Sequence, residues 1–357
     1  MNRRWWVLAT SVVLVAAAAC DVPTSTPKWD QTWIVPGEDM SLSVAELLPA
    51  GVTLTSDSSA FVVNINGMSD SFTLGEFCSA CTFLNGLTVP KPAFDSTLYT
   101  TQTLPSDVVS ATADAGQVSL TIQHSFNFDP LRPSSNPANT GFMTMSVRSA
   151  GRLVAYDSID GADADGAFPP NTPRTLTVPV TPGPLSDSLV IAFRISSPAG
   201  DPTTINTSQA LFVTLQPGTL DISQAEVVVD NLTADGTPST MDVSGLPDFV
   251  VNHVQSGALR FTIDNPFDVS GTFTLTLTTS NGTPLIKTLD IVPGASTPRI
   301  DFTGPELQSL LDQGSILVTS TGQVSASGGT VTVTPDQVMT LKTELEVSNL
   351  VGGEVNQ

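Results

Sequence analysis

The same pattern of residues occurs twice in this chain, which restricts the fold to one that holds two similar units. Residues 104–126 pass from Leu-Pro through Val-Val and a Gly into a strand-like run containing Thr-Ile. Residues 246–267 repeat that order with one residue fewer. Further matches follow downstream in the same sequence order. The two copies therefore extend over 104–221 and 246–347.

Within each copy, apolar and polar residues alternate with the period of two that is typical of half-buried strands. The apolar positions of the two leading strands are Val118, Leu120 and Ile122 in one copy and Leu259, Phe261 and Ile263 in the other. Asn281-Gly282 is a strong hairpin signal, because both residues tolerate the positive φ of a tight turn. The single clear helix prediction is Pro305 to Gln313, which begins with proline and is followed by a glycine.

These patterns predict an all-β chain with two tandem antiparallel β-sandwich domains, 104–221 and 246–347. The remaining segments divide into an N-terminal β region, bridging strands between the copies and a C-terminal tail, which occupy 29–103, 222–245 and 348–357.

The charge balance excludes two classes of partner. The formal net charge is −21, with 13 Lys and Arg against 34 Asp and Glu. A surface so acidic releases few counterions from a phosphate backbone, so nucleic acid is excluded as a partner. Docking on anionic lipid through a polybasic patch is excluded for the same reason. A hydrophobic fraction of 40% is sufficient for folded cores.

The N-terminus has the features of an export signal. Arg3-Arg4 precede an apolar stretch that ends at Ala19 and is too short to span a bilayer. Small residues followed by Cys20 resemble the lipobox of bacterial lipoproteins. That resemblance implies cleavage of 1–19, acylation of Cys20, a tether over 20–28 and an extracytoplasmic, membrane-anchored protein, in the periplasm or on the cell surface. The alternative is an ordinary secretory cut that leaves Cys20 as a free thiol.

Cys78 and Cys81 remain as a pair in an oxidising compartment. Covalent haem attachment would need His after the second Cys, where Thr82 stands. A zinc site would need a second pair, and a redox centre would need a helix N-terminus in a βαβ context. A small structural disulfide is the interpretation that remains.

The second copy resembles the β-sandwich of late-embryogenesis-abundant and water-stress proteins. The carrying residues are an alternating strand, Leu259–Phe267, that ends in Asn265-Pro-Phe, followed by Thr274–Leu277, and the Leu307–Leu311 stretch before strand Ile316–Thr319. In the first copy, His124-Ser-Phe replaces Asn-Pro-Phe. The resemblance implies a non-enzymatic fold and supplies no catalytic residues to transfer.

Catalytic motifs are absent from the sequence. His124 and His253 are the only histidines, and no nucleophile elbow, zinc-binding helix or phosphate loop accompanies them. We therefore expect a protein that is not an enzyme. A carboxylate-dependent hydrolase remains as a less favoured alternative, since no pattern selects a pair among the acidic residues.

One acidic segment is a candidate metal site. Asp157, Asp160, Asp163 and Asp165 lie within nine residues, interleaved with glycines. Such a loop can supply carboxylate and carbonyl oxygens to Ca²⁺, the only cofactor the sequence raises. The alternative is a solvated acidic loop, because Asp and Gly are also ordinary turn residues.

The segments that differ most between the copies are 127–141 and 157–170, and binding in β-sandwiches is commonly placed in loops. The favoured hypothesis is a cell-envelope lipoprotein that binds an envelope protein or a glycan, or acts as a spacer. The alternative is a carrier of lipid or another apolar ligand, whose sheets would enclose a cavity.

Overall fold

A computed structural model describes residues 29–280, 282–312 and 314–351. Within these ranges the chain consists mainly of antiparallel strands, which confirms the predicted all-β class. The predicted signal peptide over 1–19, Cys20, the tether over 20–28 and Asn281 lie outside the described residues. So does most of the predicted tail, since only 348–351 are described and they end the last strand.

The strands are numerous and vary in length from three to 17 residues. In chain order the strands are β1 (Trp29–Pro36), β2 (Met40–Ser43), β3 (Val52–Leu54), β4 (Phe61–Ile65), β5 (Met68–Thr73), β6 (Thr88–Pro90), β7 (Phe94–Thr103), β8 (Val108–His124), β9 (Phe142–Ser149), β10 (Arg152–Asp160), β11 (Arg174–Pro179), β12 (Gly183–Leu185), β13 (Ser188–Ser197), β14 (Pro202–Thr204), β15 (Ala210–Leu215), β16 (Gly218–Val228), β17 (Leu232–Asp242), β18 (Val254–Asn265), β19 (Val269–Thr278), β20 (Leu285–Ile291), β21 (Gly294–Ser296), β22 (Arg299–Thr303), β23 (Ser315–Ala326), β24 (Thr330–Val333) and β25 (Val338–Val351). The helices are α1 (Leu74–Phe77), α2 (Ser79–Thr82), α3 (Asp248–Asn252) and α4 (Gly304–Leu311), and a 3₁₀ turn covers Val44–Leu47.

Two sandwiches repeat each other strand for strand. One sheet of the first sandwich has the order β10-β9-β13-β7, and its counterpart in the second has the order β20-β19-β23-β17. In the facing sheets, β8 and β18 take the central place. On one side they pair with a broken strand, β11 and β12 or β21 and β22, and on the other side with β15 and β16 or with β25.

The structural copies are longer than the sequence copies. Strands β7 and β17 occupy the same edge position of equivalent sheets, so the repeat extends over 94–228 and 232–351. The segment predicted to bridge the copies, 222–245, is divided between them. The end of β16 lies in the first sandwich and β17 lies in the second.

The predicted N-terminal β region over 29–103 does not form a unit of its own. Strands β1 and β2 pair with β25 in the second sandwich, whereas β3, β4, β5 and β7 lie in the first. The physical reason is that β16 and β25 each have an outer edge of unpaired backbone groups, which β4 satisfies for β16 and which β1 and β2 satisfy for β25.

A second exchange runs in the opposite direction. Strand β24 follows β23 of the second sandwich but pairs with β16 of the first, where Thr330 lies opposite Val228 and Val333 opposite Ala225. The side chains of Val331 and Val333 are buried. The two sandwiches therefore share strands across their boundary.

The predicted helix is present as α4 and buries Leu307, Leu310 and Leu311. Its first turn is fixed by Thr303, whose backbone N–H donates to the Glu306 carboxylate at 2.9 Å. Strands β19 and β20 pair antiparallel up to Leu277 and Leu285, as the hairpin prediction requires. Six residues separate the two strands, however, which is longer than the tight turn that Asn-Gly favours.

We expect Leu42→Ala to destabilise the second sandwich although Leu42 precedes the first sandwich in the chain. Leu42 is 1% exposed and lines a small interior cavity with Phe273. Removing its side chain lowers the free energy of unfolding by about 2–5 kcal/mol. Urea unfolding followed by tryptophan fluorescence measures this, since the Trp33 ring lies 6.4 Å from that of Phe249 in the second sandwich.

The matched control is Ile34→Ala on β1, where the side chain is 50% exposed. A change within about 0.5 kcal/mol is expected there, as for most exposed substitutions. Equal effects of the two variants would show that β2 is not part of this core.

Candidate functional site at the loop end of the first sandwich

Two loops that the sequence singled out lie together at one end of the first sandwich. One connects β8 to β9 and the other connects β10 to β11. The equivalent connections of the second sandwich are only 266–268 and 292–293. The elaborated end is therefore specific to the first copy.

Asp129 ties the two loops together. Its Oδ1 accepts hydrogen bonds from the backbone N–H groups of Leu131 at 2.8 Å and Arg132 at 3.0 Å. Its Oδ2 accepts one from the backbone N–H of Phe168, at 2.7 Å, across the gap between the loops. One carboxylate thus fixes both segments.

The backbone of these loops packs too closely against its neighbours for side chains at two positions. A methyl group on Gly161 would collide with the carbonyl oxygen of Leu131, and one on Gly141 would collide with that of Ser196. The Gly161 N–H donates to the Gly141 carbonyl at 2.8 Å. Glycine is required here for close packing of backbone against backbone.

The four aspartates of the acidic segment do not converge. No group of three or more His, Cys, Asp or Glu side chains that could hold a metal is found among the described residues, which include all four. Asp157 and Asp160 bond to the nearby backbone N–H groups of Ser158 and Ala162, each at 2.8 Å.

Two arginines donate hydrogen bonds to backbone carbonyls in and next to the acidic segment. Arg132 donates to the carbonyls of Gly161 and Asp163, and Arg174 donates to those of Asp165 and Ala167. These four carbonyl oxygens are therefore engaged by guanidinium groups.

A polar recess of about 340 Å³ lies beside these loops. Its lining includes Arg132, Ser134, Ser135, Asn136 and Asn139. The Asn139 amide donates to the carbonyl of Ala199 at 2.6 Å, and the Ser135 N–H donates to Asp201 at 2.7 Å. Polar groups held in fixed positions are what a binding site needs for specificity.

Beneath the loops, an aromatic cluster closes the end of the sandwich. It consists of Phe77, Phe94, Phe126, Phe128, Phe168 and His124, whose neighbouring rings lie 4.4–5.8 Å apart. Such ring pairs add stability beyond the area they bury. The cluster gives the loops a rigid base.

His124 has a structural role in this cluster. Its Nδ1 accepts the backbone N–H of Phe126 at 3.1 Å, so Nε2 carries the proton and donates to the carbonyl of Phe168 at 2.7 Å. In the second copy, Asn265 accepts the N–H of Phe267 in the same way, at 3.0 Å. Burial lowers the pKa of His124 and keeps the ring neutral.

Both histidines contact backbone groups. Both ring nitrogens of His124 are engaged with backbone groups. His253 is exposed, and its Nδ1 lies 3.0 Å from the carbonyl oxygen of Phe249 on the same helical turn.

Lys91 is a buried cation that the sequence did not single out. Its Nζ donates to Ser197 Oγ and to the carbonyl of Pro198, each at 2.5 Å, and lies 4.5 Å from the ring centre of Phe94. It has no carboxylate partner in the described part of the chain. Burial lowers its pKa to about 7.

Cys78 and Cys81 form a disulfide, as predicted from their pairing. Both are buried, at 2% and 0% exposure, so neither sulfur is open to a redox partner. The bridge joins α1 to α2 beside Phe77, which packs against Phe94 and Phe126. Its role is to hold this cover over the aromatic cluster.

The similarity of this chain to known proteins is low. No family model and no curated protein matches it. Among solved structures, a protein of Parabacteroides distasonis classed as secreted matches at 9% identity, covering 89% of this chain and 99% of that one, with a TM-score of 0.33. The Broad Bean Stain Virus structure matches at 10% identity over 94% of each chain, with a TM-score of 0.20. Likenesses this low carry no argument about fold or function.

Among the described residues, no helix combines the length and the hydropathy that a bilayer span requires.

We expect the stability of the protein to fall as the pH drops below about 7, partly because of His124. The pKa of His124 in the folded state lies below the ordinary 6.5. When the pH falls below 6.5, the unfolded chain therefore binds a proton at this ring more readily than the folded chain does, and protonation favours unfolding. His124→Asn keeps the acceptor for Phe126 and removes this loss. Melting temperatures from pH 5 to 8 measure the difference.

The control for that experiment is His253→Asn, since the ring of His253 is exposed. It should leave the pH profile unchanged. Parallel profiles for the wild type and His124→Asn would contradict the assignment.

The burial of Lys91 predicts a second pH dependence of stability, above pH 7. With a folded-state pKa of about 7 against an ordinary 10.5, stability rises as the pH increases from 7 towards 10.5. Lys91→Met should remove about 3 kcal/mol of that rise, measured by urea unfolding at pH 7 and 9.5. Lys342→Met, at an exposed lysine, should retain it, and a rise that persists in Lys91→Met would refute the prediction.

Proposed function

We propose that this protein is a non-enzymatic, lipid-anchored protein of the cell envelope that binds a partner through the loop end of its first sandwich. The observation that supports this most directly is the pair of interlocked loops around the polar recess. They are built only in the first copy, although the second copy shows that the fold is complete without them. A disulfide between Cys78 and Cys81 is consistent with a compartment outside the cytosol.

The rigidity of this end favours binding over a spacer role. Asp129 and Arg132 join the two loops by hydrogen bonds, and Arg174, at the start of β11, fixes the β10–β11 loop to its own strand. A spacer needs no such specific loop geometry, whereas binding improves when the contact groups are already ordered.

Carriage of an apolar ligand has weaker support. The apolar cleft between the sheets of the first sandwich, near Met68 and Leu98, has a volume of about 80 Å³. That is a few water volumes, well below the roughly 300 Å³ at which ligand pockets begin.

Site-specific crosslinking in the native cells tests the proposal. A photoreactive residue at Asn136 in the recess should give an adduct with an envelope component, because this side chain is exposed. The same residue at Asp268, in the equivalent short connection of the second copy, is the matched control and should give none. Equal yields at both positions, or none at either, would contradict the proposal.

Two further variants separate the parts of the proposal. Arg132→Gln removes the bonds to the β10–β11 loop and should lower the adduct yield at position 136 several-fold. Cys20→Ala should move the protein from the membrane to the soluble fraction. A protein that remains bound to the membrane without Cys20 would exclude lipid anchoring at this residue.

A further inference from the structure

The outer face of the sheet β10-β9-β13-β7 carries both tyrosines of the protein. Tyr99 lies opposite Ala192, Ala192 lies opposite Ser146, and Ser146 lies opposite Tyr156. All four therefore stand in one row across the sheet. The tyrosines are 72% and 52% exposed, and both rings face solvent.

This row has the shape of a shallow platform. Strands lie about 4.8 Å apart, so the two tyrosines are separated by about 14 Å. Ala192 and Ser146 between them are small and leave the floor open. Arg194, beside Ala192 on β13, and Arg148, beside Ser146 on β9, stand in the neighbouring rows on opposite sides.

The charge of the platform differs from that of the chain as a whole. Arg194 is paired with Asp95, and its guanidinium lies over the ring of Phe142. Arg148 donates to the carbonyl of Gly151 at 3.0 Å and has no carboxylate partner among the described residues. In a chain with a formal net charge of −21, an exposed arginine with no described carboxylate in ion-pair distance is a local positive charge that can attract an anion.

The second sandwich shows that the fold does not require these residues. Its equivalent sheet places Thr319 where Ala192 stands, Thr276 where Ser146 stands and Ile286 where Tyr156 stands. Thr321 and Thr278 occupy the positions of Arg194 and Arg148. The equivalent of Tyr99 falls at an irregularity in β17, between Gly236 and Ser239. The aromatic and cationic groups are thus confined to the first copy.

We propose that this tyrosine platform binds a segment of an acidic polysaccharide. The proposal extends the binding role given above but uses a separate surface. Aromatic faces carry partial negative charge and attract the C–H groups on the apolar face of a pyranose ring. Two such faces along one line, with a small-residue floor between them, match an extended chain of sugar rings. Arg148 supplies the charge for a carboxylate on one of those rings.

Isothermal titration of the purified full-length protein with hexasaccharides tests the platform. The probes are hexagalacturonate, hexamannuronate and a hyaluronan hexasaccharide, with cellohexaose as the neutral comparison. At least one acidic probe should bind, with an affinity that decreases as salt is raised, because the ion pair with Arg148 is screened. Cellohexaose should bind more weakly.

Substitutions identify the surface. Tyr99→Ala and Tyr156→Ala should each weaken the acidic hexasaccharide about tenfold, as expected for loss of a central aromatic contact. Arg148→Gln should remove most of the salt dependence. Phe212→Ala, an exposed aromatic on the other sheet, and Ile286→Ala, on the equivalent face of the second sandwich, are the matched controls and should bind as the wild type does.

Several outcomes would overturn the proposal. These are no heat with any acidic probe, unchanged binding in both tyrosine variants, or equal binding of cellohexaose. The loop variant Arg132→Gln should titrate as the wild type does, so failure of the crosslinking experiment and failure of this one can be told apart. Melting temperatures of the variants check that each is folded.

Discussion

The pairing of backbone groups along one edge of the last strand in each copy governs the arrangement of the chain. Strands β16 and β25 each pair on one side with the central strand of their own sheet. Their other sides would expose a row of unpaired N–H and C=O groups, which are a template for aggregation. The chain covers them with strands from distant positions: β4 and β24 for β16, and β1 and β2 for β25.

This dependence explains which parts of the fold could be predicted from the sequence. Alternation at Val118, Leu120 and Ile122 is a local property, and so is the proline and leucine pattern of α4. Both are independent of the partner across the sheet. The partner of a strand is not encoded locally, since any strand with one apolar face can cover a similar edge. For this reason the sequence pattern alone does not assign residues 29–43 to the second sandwich.

The candidate site shows the same limit at the level of side chains. The acidic segment has the composition of a calcium loop, but its carbonyl oxygens accept hydrogen bonds from Arg132 and Arg174, one of which lies far away in sequence. The sequence alone does not show whether a metal ion or a guanidinium group contacts these carbonyl oxygens. The duplication says more about this site, because aligning the strand ends of the two copies places His124 opposite Asn265. In the structure, each of these side chains accepts the backbone N–H of the residue two positions later.

The contribution of β1 and β2 to the second sandwich also determines when the protein can fold. Strands β1 and β2 pair with β25, so Trp29 lies opposite Val351. The outer edge of β25 cannot be covered until β25 itself has been synthesised, and contacts so distant in sequence form slowly. Translocation across a membrane as an extended chain is compatible with this order of events, because no stable second sandwich can form ahead of the C-terminal strand.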